Sequence, residues 1–109
     1  MTRITIYRDS ESSEYRGFCV EGHADYADKG EDIVCAAISM LSVHTQNAIE
    51  KYCNDPFDQE EDKVNTRMRF MLKGSPGDTC SVLLRSFADS ITELKKGYPD
   101  YVDIDYREV

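Results

Sequence analysis

The chain has 109 residues, which makes one ordinary domain, residues 1–109, with no room for two independent cores. Apolar residues make up 40% and charged residues 31%, a balance that excludes a disordered polymer. Thirteen basic against 21 acidic residues give a net charge of -8, which argues against direct nucleic-acid binding or an anionic membrane and suits a basic peptide, or plain solubility.

The residues at Met1–Ile6 include no apolar stretch of signal-peptide length, so a cytoplasmic location is the expectation. Ile4 and Ile6 with alternating polar neighbours predict a first strand over residues 2–8. Asp9 to Ser13 is a turn, and Tyr15 to Glu21 reads as a second strand, so the two form a hairpin. Ala24 to Glu31 is a polar loop containing Gly30. Asp32 opens a helix that runs to about Tyr52, ended by Asn54-Asp55-Pro56 because proline cannot continue it. The apolar run within it, Ile33 to Val43, is broken by Ser39 and Ser42 and is too short to span a bilayer.

Asp58 to Asp62 reads as a solvated acidic turn away from the chemistry. Val64 to Leu72 predicts a strand with Met68, Phe70 and Leu72 on one face. Cys80, Leu83, Leu84, Phe87, Ala88, Ile91 and Leu94 form the apolar stripe of a second helix, Thr79 to Lys96, with Gly97 and Pro99 at its end. Tyr101 to Tyr106 is a last strand, and there is room for one more near Phe57. The order strand, strand, helix, strand, helix, strand predicts a two-layer α+β domain. Two helices cover one face of a mixed, mostly antiparallel sheet.

Four cysteines in such a chain are expected as thiols, to be judged by position. With Asp32 as N-cap, Cys35 is the third helical residue, where unpaired amides and the helix dipole favour a thiolate. Asp32, Cys35, Ser39, Ser42 and Gln46 also share a polar stripe. The competing reading is a small buried cysteine, the usual fate of a free thiol. Cys80 has the same helical position but lies in an apolar stripe, so it reads as core. Cys19, in a strand, and Cys53, at a helix end, have nothing to activate them.

A nucleophilic thiol needs a base within reach, and there are two histidines. His44 follows Cys35 by nine residues, about 900° at about 100° per residue, so it points half a turn away and reads as packed or at an interface. His23 lies at the end of the second strand, which leads toward the helix start. The alternative is a surface histidine without a role. Gly22 lets the backbone bend there, and Glu21 can share its face. Zinc held by Cys19, His23 and Cys35 is disfavoured because no Cys-x-x-Cys pair is present, and the same lack excludes a thioredoxin-like role. No metal and no cofactor are expected.

The stretch Gly22-His23-Ala24, then Gly30-Glu31-Asp32-Ile33-Val34-Cys35-Ala36-Ala37-Ile38-Ser39, resembles the Prp family of bacterial ribosomal-processing cysteine proteases. The resemblance spans nearly the whole chain. It implies a cytoplasmic endopeptidase, usually a homodimer, that removes a short N-terminal extension from a large-subunit ribosomal protein. The family's histidine and nucleophile fall on His23 and Cys35, and its aspartate and serine on Asp32 and Ser39. Asp25 stands where the family often has glycine.

On that reading the Cys35 thiolate attacks the scissile carbonyl, His23 holds it as an ion-pair partner and then protonates the leaving amine, and amides at the helix start stabilise the oxyanion. Asp32 caps the helix or orients His23, and Ser39 bonds near the thiol or packs. The loop Ala24 to Glu31 is a candidate lid, with Tyr26 against the peptide. The rival from another class is a non-catalytic acidic module that holds a basic ribosomal protein.

Overall fold

A computed structural model describes residues 1–28 and 31–109. The elements run β1 (Thr2–Arg8), β2 (Tyr15–Glu21), α1 (Ile33–Tyr52), β3 (Phe57–Asp62), β4 (Arg67–Leu72), α2 (Asp78–Gly97) and β5 (Val102–Glu108). They form a five-stranded sheet in the order β3-β4-β2-β1-β5. Every neighbouring pair is antiparallel except β1 and β5, which run parallel with Thr2 opposite Val102. This is the predicted α+β architecture.

The strand alternation works as expected. Ile4 and Ile6 of β1, Phe18 of β2, Phe70 and Leu72 of β4 and Val102 of β5 point to one face and are fully buried. Val34, Ile38 and Ile49 of α1 and Leu84, Phe87 and Ile91 of α2 close the same cluster. Phe18 stacks between Phe70 and Phe87, with centroids 5.6 and 4.1 Å away, joining sheet to α2.

Three readings are corrected. Residues 58–62 are not a turn: they belong to the edge strand β3, paired with β4 and anchored by Phe57 against Phe70. A strand whose exposed positions are carboxylates shows no apolar alternation, but charge on an edge is what deters further pairing. The turn lies at 63–66 instead, where Asp62 Oδ1 accepts the amides of Val64 and Asn65. β4 therefore starts at Arg67 rather than Val64. His44 is exposed on α1, not packed into the apolar side.

Candidate active site

β1 and β2 are in register with Arg3 opposite Glu21, so Thr2 lies beside Gly22 at the end of the hairpin. Thr2 Oγ1 donates to Gly22 O at 3.3 Å. Gly22 turns the chain out of β2 with φ +85, and a Cβ there would meet Met1 O at 3.0 Å. Both the sign of φ and the close approach require glycine. The turn delivers His23 to the start of α1.

Asp32 organises that start. Its Oδ1 accepts the amides of Val34 and Cys35, both at 3.0 Å, which is side-chain capping of α1. Its Oδ2 accepts the amides of Tyr26 and Ala27 at 3.0 and 3.4 Å and lies 3.6 Å from His23 Nδ1. One buried carboxylate thus ties helix, loop and imidazole together. Burial alone would raise the pKa of Asp32, but the amides of Cys35, Ala27 and Tyr26 outweigh it and hold the carboxyl below its usual range.

Donor atoms of His23, Asp32 and Cys35 all lie within 4.8 Å of one another. Cys35 Sγ accepts the Ala24 amide at 3.1 Å. His23 Nδ1 accepts the Asp25 amide at 3.0 Å, which leaves the ring proton on Nε2. The carboxylates of Asp25 and Asp32 flank that nitrogen at 3.4 and 3.6 Å, ready to face an imidazolium.

The first turn of α1 does not lower the Cys35 thiol as its position suggests. Burial pushes it up, and the negative charge of Asp32 adds to the rise, against the amide of Ala24. The helix-start amides expected for an oxyanion are taken as well: Val34 and Cys35 donate to the Asp32 side chain and Ala36 to its carbonyl.

A groove of about 790 Å³ runs from this cluster between α1 and the β3–β4 side of the sheet. All five residues of the polar stripe line it, with Ser42 and Gln46 buried and Ser39 exposed. Gln59, Glu61 and Asp62 line its opposite side, so the acidic segment lies on the groove that holds Cys35.

Tyr26 lies elsewhere. Its ring meets Tyr98 and Tyr101 edge-on, at 5.5 and 5.2 Å, and pins the loop to α2 and the approach to β5. Of the lid segment, Ala24 is buried and residues 26–27 are bound to Asp32, while Gly30 lies outside the described residues. The thiols differ as read: Cys80 is fully buried in the core and Cys35 half-buried on the groove. Cys19 is buried on the far side of β2 with its thiol 3.7 Å from Glu21, so the cluster with His23 and Cys35 holds Asp32 instead.

Sequence reasoning missed Thr2 and the amide of Ala24. Thr2 shares the inward face of Ile4 and Ile6 and lines the groove with Cys35. The hairpin register was the available signal.

A thiol and an imidazole meet beside one carboxylate at the end of an open groove, on a two-layer α+β frame. This is the arrangement of a cysteine peptidase. The family model for cysteine protease Prp matches residues 1–103, and the chain belongs to that family. The ribosomal processing cysteine protease Prp of Staphylococcus aureus is 24% identical over 88 residues, 81% of this chain and 83% of the relative. A crystal structure of S. aureus Prp with a covalently linked product peptide superposes with a TM-score of 0.90 at 22% identity, covering 97% of this chain and 99% of that one. A second, with a substrate peptide, gives 0.85 at 21% identity over the same shares. Membership in a family of proteases leaves the non-catalytic module without support.

Proposed function

We propose that this enzyme is an endopeptidase that removes a short N-terminal extension from a large-subunit ribosomal protein, with Cys35 as nucleophile and His23 as base. The observation that carries the reading is the juxtaposition of the Cys35 sulfur and the His23 imidazole at the head of a groove deep enough for an extended peptide. The relatives named as ribosomal processing proteases supply the substrate class.

In the resting site the thiol is held neutral by burial, so the reaction starts with proton transfer rather than from a preformed ion pair. His23 takes the thiol proton on Nδ1, giving up the bond from the Asp25 amide, as the sulfur attacks the scissile carbonyl. The imidazolium that forms is met by Asp25 and Asp32. Ala24 N–H is the amide placed at the sulfur and serves the developing oxyanion, since the helix-start amides are committed to Asp32. The imidazolium protonates the leaving amine, a thioester remains on Cys35, and water activated by His23 releases it. Ser39, one turn along the groove floor, contacts the peptide rather than the thiol.

The enzyme works as a cytoplasmic homodimer in this reading, without nucleic acid, cofactor or membrane. No described helix is long and apolar enough to cross a bilayer. The outer face of α1 exposes Ile33 and Met40, an apolar pair suited to a second copy. Sedimentation of the purified chain checks the dimer.

The test of the activity is direct. Peptides that span the junction between the extension and the mature ribosomal protein of the same organism are incubated with the enzyme, and products are read by mass spectrometry. Cleavage at a single bond, lost in Cys35→Ala, is the expected result. An uncut junction peptide, or cleavage that survives Cys35→Ala, overturns the reading.

A further inference from the structure

A second side-chain cluster lies at the other end of α1. The helix closes on Cys53, whose amide caps onto Ile49 O at 3.0 Å. Asp55 follows before the chain enters β3. Cys80 is the third residue of α2, and its side chain points back at the same spot. One donor atom from each of Cys53, Asp55 and Cys80 lies within 4.8 Å of the other two. The two sulfurs therefore face each other across less than 4.8 Å. The Asp55 carboxylate is oriented by the Gly77 amide, which donates to Oδ2 at 2.7 Å. Metal-binding carboxylates are commonly held by such an outer contact.

We infer that Cys53, Asp55 and Cys80 form a binding site for a thiophilic divalent cation of the Zn²⁺ class. Two sulfurs and one carboxylate oxygen are a soft donor set that favours such an ion over Mg²⁺ or Ca²⁺. Cys80 is buried while Cys53 and Asp55 are half-buried, so the ion is reached from the Cys53–Asp55 side and a water completes four ligands. Binding exchanges the two thiol protons for the cation, forms two metal–sulfur bonds and one metal–oxygen bond, and moves no electrons. The ion would clip the end of α1 to the start of α2, a joint now made by packing and by Asp55 on Gly77.

The cluster at His23, Asp32 and Cys35 also offers donors, so the test uses the full, reduced chain carrying Cys35→Ser. Zn²⁺ is titrated by equilibrium dialysis, and Co²⁺ is used as the spectroscopic probe. One ion per chain, with a thiolate-to-cobalt charge-transfer band, is the expected result. Adding Cys53→Ser should remove the band and weaken Zn²⁺ binding at least tenfold. Asp55→Asn should weaken binding about 10- to 100-fold while the thiolate band remains. Cys53 is partly exposed, so its variant keeps the test open even where Cys80→Ala unfolds. Absence of the band in the Cys35→Ser chain, or a band untouched by Cys53→Ser, overturns the assignment. A thiol count that shows Cys53 and Cys80 oxidised to a disulfide even under reductant overturns it as well.

Discussion

Cys35 and Cys80 are each the third residue of a 20-residue helix, so the helix offers both the same dipole. Their surroundings differ at every other point. α1 is capped by the Asp32 carboxylate, whereas Gly77 gives α2 no side-chain cap. Cys35 opens on a groove beside His23; Cys80 is sealed in the core beside Cys53, its thiol pushed up to about 12 by burial and by the negative charge of Asp55. Helix position therefore does not make a nucleophile here. What separates the two thiols is a strand end that brings an imidazole to one of them and a groove that brings a peptide.

The widest separation is expected on removing each thiol. Cys35→Ala should abolish processing and leave folding intact. Cys80→Ala should leave processing measurable and lower stability by about 1–2 kcal/mol, the cost of a small core deletion, as read by urea unfolding. Cys80 also gives the parent a pH signature. Its pKa rises from 9.0 to about 12 on folding, so its contribution is complete below pH 9 and is lost as pH rises toward 12. Cys80→Ala should flatten that decline, and an unchanged decline would contradict the buried thiol.

Next in size is the base. His23→Ala should lose about 10²- to 10⁴-fold in rate, whereas His44→Ala should keep near-parent activity because its ring is exposed on α1. A well-folded but inactive His44→Ala would reverse the assignment. Asp32→Asn sharpens the comparison further, because asparagine still caps but brings no charge. Processing should fall about tenfold, since a half-buried imidazolium loses one of its two carboxylates. Alkylation of Cys35 at fixed pH should become faster, because Asp32 no longer pushes the thiol up. Slower alkylation in Asp32→Asn would show that the carboxylate supports the thiolate instead.

The smallest effect concerns charge. Glu61 lies on the groove and Asp28 on the loop before α1. Glu61→Gln should weaken binding of the basic extended peptide a few-fold, mostly through association, and more than Asp28→Asn does. The difference should shrink as salt shortens the screening length from about 30 Å at 0.01 M to about 8 Å at 0.15 M. Equal affinities at all salt concentrations would make the acidic groove wall a solubility feature only.

Most of the frame was legible because its signals are local. Alternation at Ile4 and Ile6, the stripe from Cys80 to Leu94 and the Asp32 cap each declare an element within a few residues. The pairing of His23 with Cys35 followed from a strand end that precedes a helix start. What escaped was set at long range. A further strand was foreseen near Phe57, but the rest of β3 has carboxylates where a strand signal would be, and only pairing with β4 makes it extended. The rise of the Cys35 thiol comes first from burial in the folded chain, which no helix position encodes. Asp25 has φ 62, a left-handed conformation that explains why glycine suits this place and why an aspartate, tied to His23, can hold it.

The parallel seam between β1 and β5 has a consequence for synthesis. A chain leaving the ribosome exposes β1 well before β5, and Thr2 has no partner on that side until Val102 arrives. Tyr26 likewise waits for Tyr98 and Tyr101 before its loop, and with it the Asp32–His23 arrangement, is held in place. A nascent chain that already carries His23 and Cys35 is therefore not yet an assembled peptidase. The seam thus holds back assembly of the site until β5 has been made.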